Sequence, residues 1–116
     1  MKTSYNPFNK KDHRETEHGI INFQHDMGTC YVTNRTPEHI FRKYGAFCIS
    51  NTELETCYDN HVYWILILYH NNNGETIPHR IELNKLRYMD THNQNGDVQT
   101  IIPIKQMEKR GEEGWQ

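Results

Sequence analysis

His61-Val62-Tyr63-Trp64-Ile65-Leu66-Ile67-Leu68-Tyr69-His70, followed by Asn71-Asn72-Asn73-Gly74, is the stretch that decides the fold. From Val62 to Tyr69 both alternating sets of side chains are apolar, so neither face of a strand here belongs in water. The run is too short for a membrane helix, which needs about 20 apolar residues. Its β-rich composition favours a central strand buried on both sides in its middle. The Asn-rich segment ending in Gly74 is a hairpin loop, because Asn and Gly tolerate positive φ.

Working outward, Thr76 to Leu83 returns with Ile77, His79, Ile81 and Leu83 on one face. Pro78 donates no ladder hydrogen bond, which places it at an edge or a bulge. Leu86, Tyr88 and Met89 extend or restart this strand. Asn95-Gly96 signals a second hairpin, and Val98 to Ile104 is the last strand, limited by Pro103. Upstream, Gly19 to His25 and Thr29 to Thr33 make a first hairpin around Asp26-Met27-Gly28.

Two helices are expected between these hairpins. Thr36-Pro37-Glu38 is a helix start, with Ile40, Phe41 and Tyr44 on one face and Gly45 as the stop, which predicts a helix over 37–44. Ser50-Asn51-Thr52-Glu53 is a capping box, followed by Leu54, Cys57 and Tyr58, which predicts a helix over 51–58. The sum is a single small α+β domain: a mainly antiparallel sheet of four to six strands with two short helices on one face. Residues 1–17 read as a flexible N-terminal arm, with Tyr5 and Phe8 able to dock. Residues 18–104 read as the domain, and 105–116 as a charged tail.

The chain has 116 residues, 13 Lys plus Arg, 15 Asp plus Glu and 8 His, for a formal charge of −2. That balance argues against a broad phosphate-binding face. No apolar core of a signal peptide precedes the domain, and no membrane segment is found. Cys30, Cys48 and Cys57 are an odd set, which suits reduced thiols in the cytoplasm rather than a disulfide framework.

Four constellations could carry chemistry. Cys48, Cys57 and His61, with Cys30, have the residue types of a tetrahedral zinc site. No C-x2-C pair nucleates it, and the competing reading makes Cys48 and Cys57 core residues, so the expected cofactor is none. Asp12-His13, His25-Asp26, Asp59-Asn60-His61 and Asp90-Thr91-His92 pair carboxylates with imidazoles, as a small metal-dependent hydrolase or nuclease would. Sequence neighbours on a strand face opposite ways, however, and no catalytic motif accompanies them. Basic pairs at Lys10-Lys11, Arg42-Lys43 and Lys109-Arg110 could serve a nucleic acid, but acidic residues flank them.

The fourth constellation is an interface. Thirteen aromatics, seven of them Tyr, include the residue types enriched in binding hot spots. Tyr63, Trp64, Tyr69 and Tyr88 are the candidate anchors, and Glu53, Glu55 and Asp59 the candidate acidic contacts for a basic groove. The expectation is a non-enzymatic binding protein, a monomer or homodimer, with a protein as its partner. Its concrete form is a stoichiometric inhibitor or immunity-type protein that blocks a larger enzyme or defence complex, of the sort phages and mobile elements carry. A hydrolase and a nucleic-acid-binding domain are the alternatives.

Overall fold

The computed structural model describes residues 13–23 and 28–111. Of the expected arm at 1–17, residues 1–12, with Tyr5 and Phe8, lie outside them, as does the end of the expected tail, while His13–Glu15 form a strand paired with Ile20–Asn22 and do not belong to a flexible arm. Among the described residues there are ten strands and one α-helix. In chain order they are β1 (His13–Glu15), β2 (Ile20–Asn22), β3 (Cys30–Arg35), β4 (Ile40–Phe41), β5 (Ala46–Ser50), α1 (Asn51–Asp59), β6 (Trp64–His70), β7 (Thr76–Glu82), β8 (Thr91–Gln94), β9 (Asp97–Pro103) and β10 (Glu108–Lys109). The fold is α+β and mainly sheet. No helix among the described residues is long and apolar enough to cross a membrane.

The strands form two sheets, not one. The larger has the order β1-β2-β3-β6-β7-β10, the smaller β4-β5-β9-β8. Every pairing is antiparallel except β3 with β6, which run parallel from Cys30↔Trp64 to Arg35↔Tyr69. A parallel pair needs a long crossover; here it contains β4, β5 and α1. β6 is central, as its two apolar faces require, and Ile65, Leu66 and Ile67 are all buried. The core lies between the sheets: Ile21, Tyr31, Ile65, Ile67 and Ile81 from the large one meet Phe47, Ile49 and Ile102 from the small one, with Leu54 and Cys57 of α1.

Local signals explain the turns. Asn71 Oδ1 accepts from the backbone of Asn73 (2.9 Å) and Glu75 (3.0 Å), closing the β6–β7 loop. Asn95 and Gly96 both adopt positive φ, 54° and 84°, as a two-residue hairpin of right-handed twist demands. The carbonyl of Pro78 accepts from Arg110 (3.0 Å). Its nitrogen shares that outward side of β7, where the short β10 requires no donor from it.

Three expectations are corrected. The helix over 37–44 is absent: Pro37–His39 make a single 3-10 turn, then β4 begins. Pairing with β5 sets Ile40 beside Phe47 on the core, and that burial outweighs the local helix signal. Gly45, φ 55°, serves a hairpin instead of a helix end. Leu83–Tyr88 is a 3-10 helix, with Leu83 and Leu86 buried, and does not extend β7. The start of the charged stretch after Ile104 belongs to the fold: Met107 is buried and β10 pairs with β7 through Glu108↔Arg80 and Lys109↔His79.

Gly19 tests this packing. A methyl group there would stand 2.5 Å from Val32 O and 2.8 Å from the Tyr31 ring, and neither can retreat. Gly19→Ala is expected to cost about 1–3 kcal/mol in urea unfolding; an unchanged midpoint would mean the β1–β2 turn is not held against β3.

Candidate functional site

One carboxylate joins the two sheets to the helix. Glu53 sits in the first turn of α1, where Ser50 caps the helix by accepting from Glu53 N (3.1 Å). The Glu53 side chain turns back, and its Oε1 accepts from Ser50 N (3.2 Å). Oε2 accepts from the Tyr31 hydroxyl of β3 at 2.5 Å. Arg35, at the end of β3, donates from Nη2 to Oε1 at 3.3 Å. The same Nη2 reaches Cys48 O (3.2 Å), and Nη1 reaches Thr33 Oγ1 (2.6 Å) and Asn34 O (3.0 Å). Both terminal nitrogens of the guanidinium are therefore committed within the fold. Burial, with the Glu53 carboxylate alongside, pushes the Tyr31 phenol far above its ordinary range.

Above this network opens a cleft of about 630 Å³. Strand register builds one wall. Phe41 lies opposite Ala46, Gln99 opposite Ser50 and His92 opposite Gln99, so all three share with Cys48 the sheet face turned away from Phe47 and Ile49. The rings of Phe41 and His92 adjoin at 5.3 Å, and Tyr44 stacks on Phe41 at 4.9 Å. Asn34 comes from the end of β3, and Glu38 and His39 from the segment that links the two sheets. His39 Nδ1 accepts from Thr36 N (3.0 Å), which leaves its proton on Nε2. Glu38 accepts from the Thr36 hydroxyl at 2.5 Å, and that bond holds its carboxyl below the usual range. His18 reaches the rim from the β1–β2 turn, whose carbonyl is tied to Thr33 Oγ1 (2.8 Å). The exposed β8–β9 hairpin adds Gln94.

The residues singled out from sequence are scattered over the molecule. Glu53 is not a surface contact: only 7% of it is exposed, because the capping box folds its side chain inward. Glu55 and Asp59 are exposed on α1. Tyr63 and Tyr88 project into solvent, 50% and 87% exposed. Trp64 is half-buried beneath the Arg80 guanidinium, 4.3 Å from its ring centroid. Tyr69 is half-buried against Phe47, at 5.7 Å. These two are packing residues on opposite faces of the larger sheet.

The expected metal set is not assembled. Cys57 is buried in the core between helix and sheets, whereas His61 is exposed beyond the helix end with φ 55°. Cys30 is buried on the outer face of the larger sheet, and Cys48 faces the cleft. No group of three or more His, Cys, Asp or Glu among the described residues is placed to hold a metal ion. Sequence reasoning missed the cleft's own polar residues, Asn34, His39, Gln94 and Gln99. Asn34 and His39 flank the start of the link between the sheets, Gln94 and Gln99 lie on the two strands of one hairpin, and only the fold brings the two pairs together.

Burial pushes the Cys30 and Cys57 thiols up to about 12, and raises Cys48 as well. Native protein at pH 8 should therefore consume at most one equivalent of a thiol reagent, at half-exposed Cys48, and three after denaturation. Fast labelling of all three without denaturant would contradict the packing. The buried thiols lose their protons later in the folded than in the unfolded chain, whose value is 9.0. Stability should accordingly fall as pH rises from 9 toward 12.

Removing Glu53 tests the network. Glu53→Ala leaves the Arg35 charge and the Tyr31 hydroxyl buried without their partner, and should cost about 3–5 kcal/mol. Loss of less than about 1 kcal/mol, the worth of a surface pair, would show that the network is not structural.

Comparison with protein-family models, with curated proteins and with solved structures finds no match, so a functional reading rests on the residues themselves.

Proposed function

We propose that this chain is a non-enzymatic binding protein that covers a surface of a larger protein, as a stoichiometric inhibitor or immunity-type protein does. The observation that carries the reading is Tyr88. It ends the 3-10 helix Leu83–Tyr88 with 87% of its surface in water. Beside it lies a recess of about 150 Å³ lined by Met89, Asp90, Ile101, Pro103 and Gln106. A large ring held out from a backbone whose neighbours Leu83 and Leu86 are anchored in the core brings contact area at low entropic cost.

Tyr63 supports the same reading. It is half exposed, and its carbonyl accepts from Leu83 N (2.9 Å), so it is tied to the start of the element that carries Tyr88. Tyrosines of this kind are enriched among interface hot spots.

Affinity capture from the native lysate, compared between wild type and variants, tests the reading. Tyr88→Ala and Tyr63→Ala should each weaken a stoichiometric protein complex by about 2 kcal/mol or more while leaving the Tm unchanged. Trp64→Ala and Tyr69→Ala should lower the Tm, because their rings pack within the fold. Full retention of the complex by the double variant Tyr63→Ala, Tyr88→Ala would reject the tyrosines as anchors. Absence of any stoichiometric protein partner would reject the function itself.

A further inference from the structure

We infer that the cleft beside Phe41 and His92 is a second binding site, separate from the exposed tyrosines, for a small, uncharged, planar heterocycle of the nucleobase class. Its volume of about 630 Å³ falls within the range of small-molecule pockets, roughly 300–1,000 Å³.

Charge argues first. Arg35, Glu38 and Glu53 are the formally charged lining groups. Arg35 spends both terminal nitrogens on Thr33, Asn34, Cys48 and Glu53, so nothing is left on them to neutralise a phosphate. Glu53 is engaged by Ser50, Tyr31 and Arg35, and Glu38 by Thr36. The remaining balance is one negative charge, which repels an anion. A bound molecule must be held by uncharged hydrogen bonds and ring contact.

The cleft supplies both. Among the described residues Gln94 makes no side-chain hydrogen bond, so its amide is open to a ligand. Gln99 donates Nε2 to Asp97 Oδ2 (2.7 Å), which orients the amide and leaves Oε1 as an acceptor. His39 presents Nε2–H, because its Nδ1 is occupied by Thr36. A carboxamide offers a donor and an acceptor side by side, the pattern that base edges also carry. Phe41 and His92 supply rings at the wall, and Tyr44 stacks on one face of Phe41. Base–aromatic stacking tolerates any base because each has a π-face.

The test titrates the full chain with adenosine, guanosine, cytidine and uridine by calorimetry, with amide NMR shifts as the map. Glucose and adenosine 5′-monophosphate are run alongside. Saturable binding of at least one nucleoside is expected, with shifts at Gln94, Gln99 and His39. Gln94→Ala should weaken it roughly tenfold, the worth of one hydrogen bond, with the Tm unchanged. His92→Ala gives an independent loss should Gln94→Ala fold poorly, and Tyr88→Ala should bind as wild type does. No binding by any nucleoside would overturn the proposal, as would glucose binding alone. Tighter binding of the monophosphate would overturn the uncharged assignment, and unchanged affinity in both cleft variants would overturn the location.

Discussion

The fold depends on a buried ion pair. Arg35 and Glu53 are 11% and 7% exposed, and each ends or begins a different element: β3 of the larger sheet and α1 after β5 of the smaller. Such a pair adds little net stability over an apolar substitute, because desolvating two charges offsets their attraction. What it does impose is position. Arg35 must stand where it reaches both Cys48 O and Glu53, and Tyr31 must direct its hydroxyl to the same carboxylate. Apolar residues would let the sheets slide against each other. Directed hydrogen bonds do not, and no buried side-chain nitrogen or oxygen among the described residues lacks a partner.

The sequence was legible where the deciding forces are local. The two apolar faces of Ile65–Leu68 require a central strand, and the Asn-Gly turns require positive φ. Ser50 and Glu53 meet within one helical turn, so their capping box needs no tertiary context. Legibility failed where distant partners decide. Thr36-Pro37 starts a turn of 3-10 helix, but the pairing of Ile40 with Phe47 pulls the next residues into β4. The parallel pairing of β3 with β6 leaves no local mark. β10 holds only two residues, and Met107 before it is an isolated apolar residue with charged and polar neighbours.

Glu53 shows the same limit at the level of the site. Its capping role was legible, and its charge separately placed it among the candidate acidic contacts at the surface. The structure adds Tyr31 from 22 positions upstream and Arg35 from 18, and these convert a surface cap into an interior one. Cys48 and Cys57 were legible as a choice between ligands and core: Cys57 lies in the core, whereas Cys48 is half-buried at the cleft, and Cys30 is buried on the outer face of the larger sheet. The cleft was not legible at all. His18 lies in the β1–β2 turn, Asn34 and His39 lie in and just after β3, and His92 and Gln94 share β8; each alone looks like solvated surface.

A division of labour follows between the floor and the rim of the cleft. Arg35 and Glu53 are spent on one another and on the backbone around them, so they hold the floor and offer a ligand little. Gln94 sits on the exposed β8–β9 hairpin, with neither a side-chain partner among the described residues nor a core contact. The hairpin's backbone is fixed by its register with β9 and by its Asn95-Gly96 turn, not by the Gln94 side chain. A polar side chain freed from structural duty on a fixed backbone can lose or gain a partner at no cost to the fold. That property separates a residue able to recognise something from one, such as Glu53, whose every bond the architecture already requires.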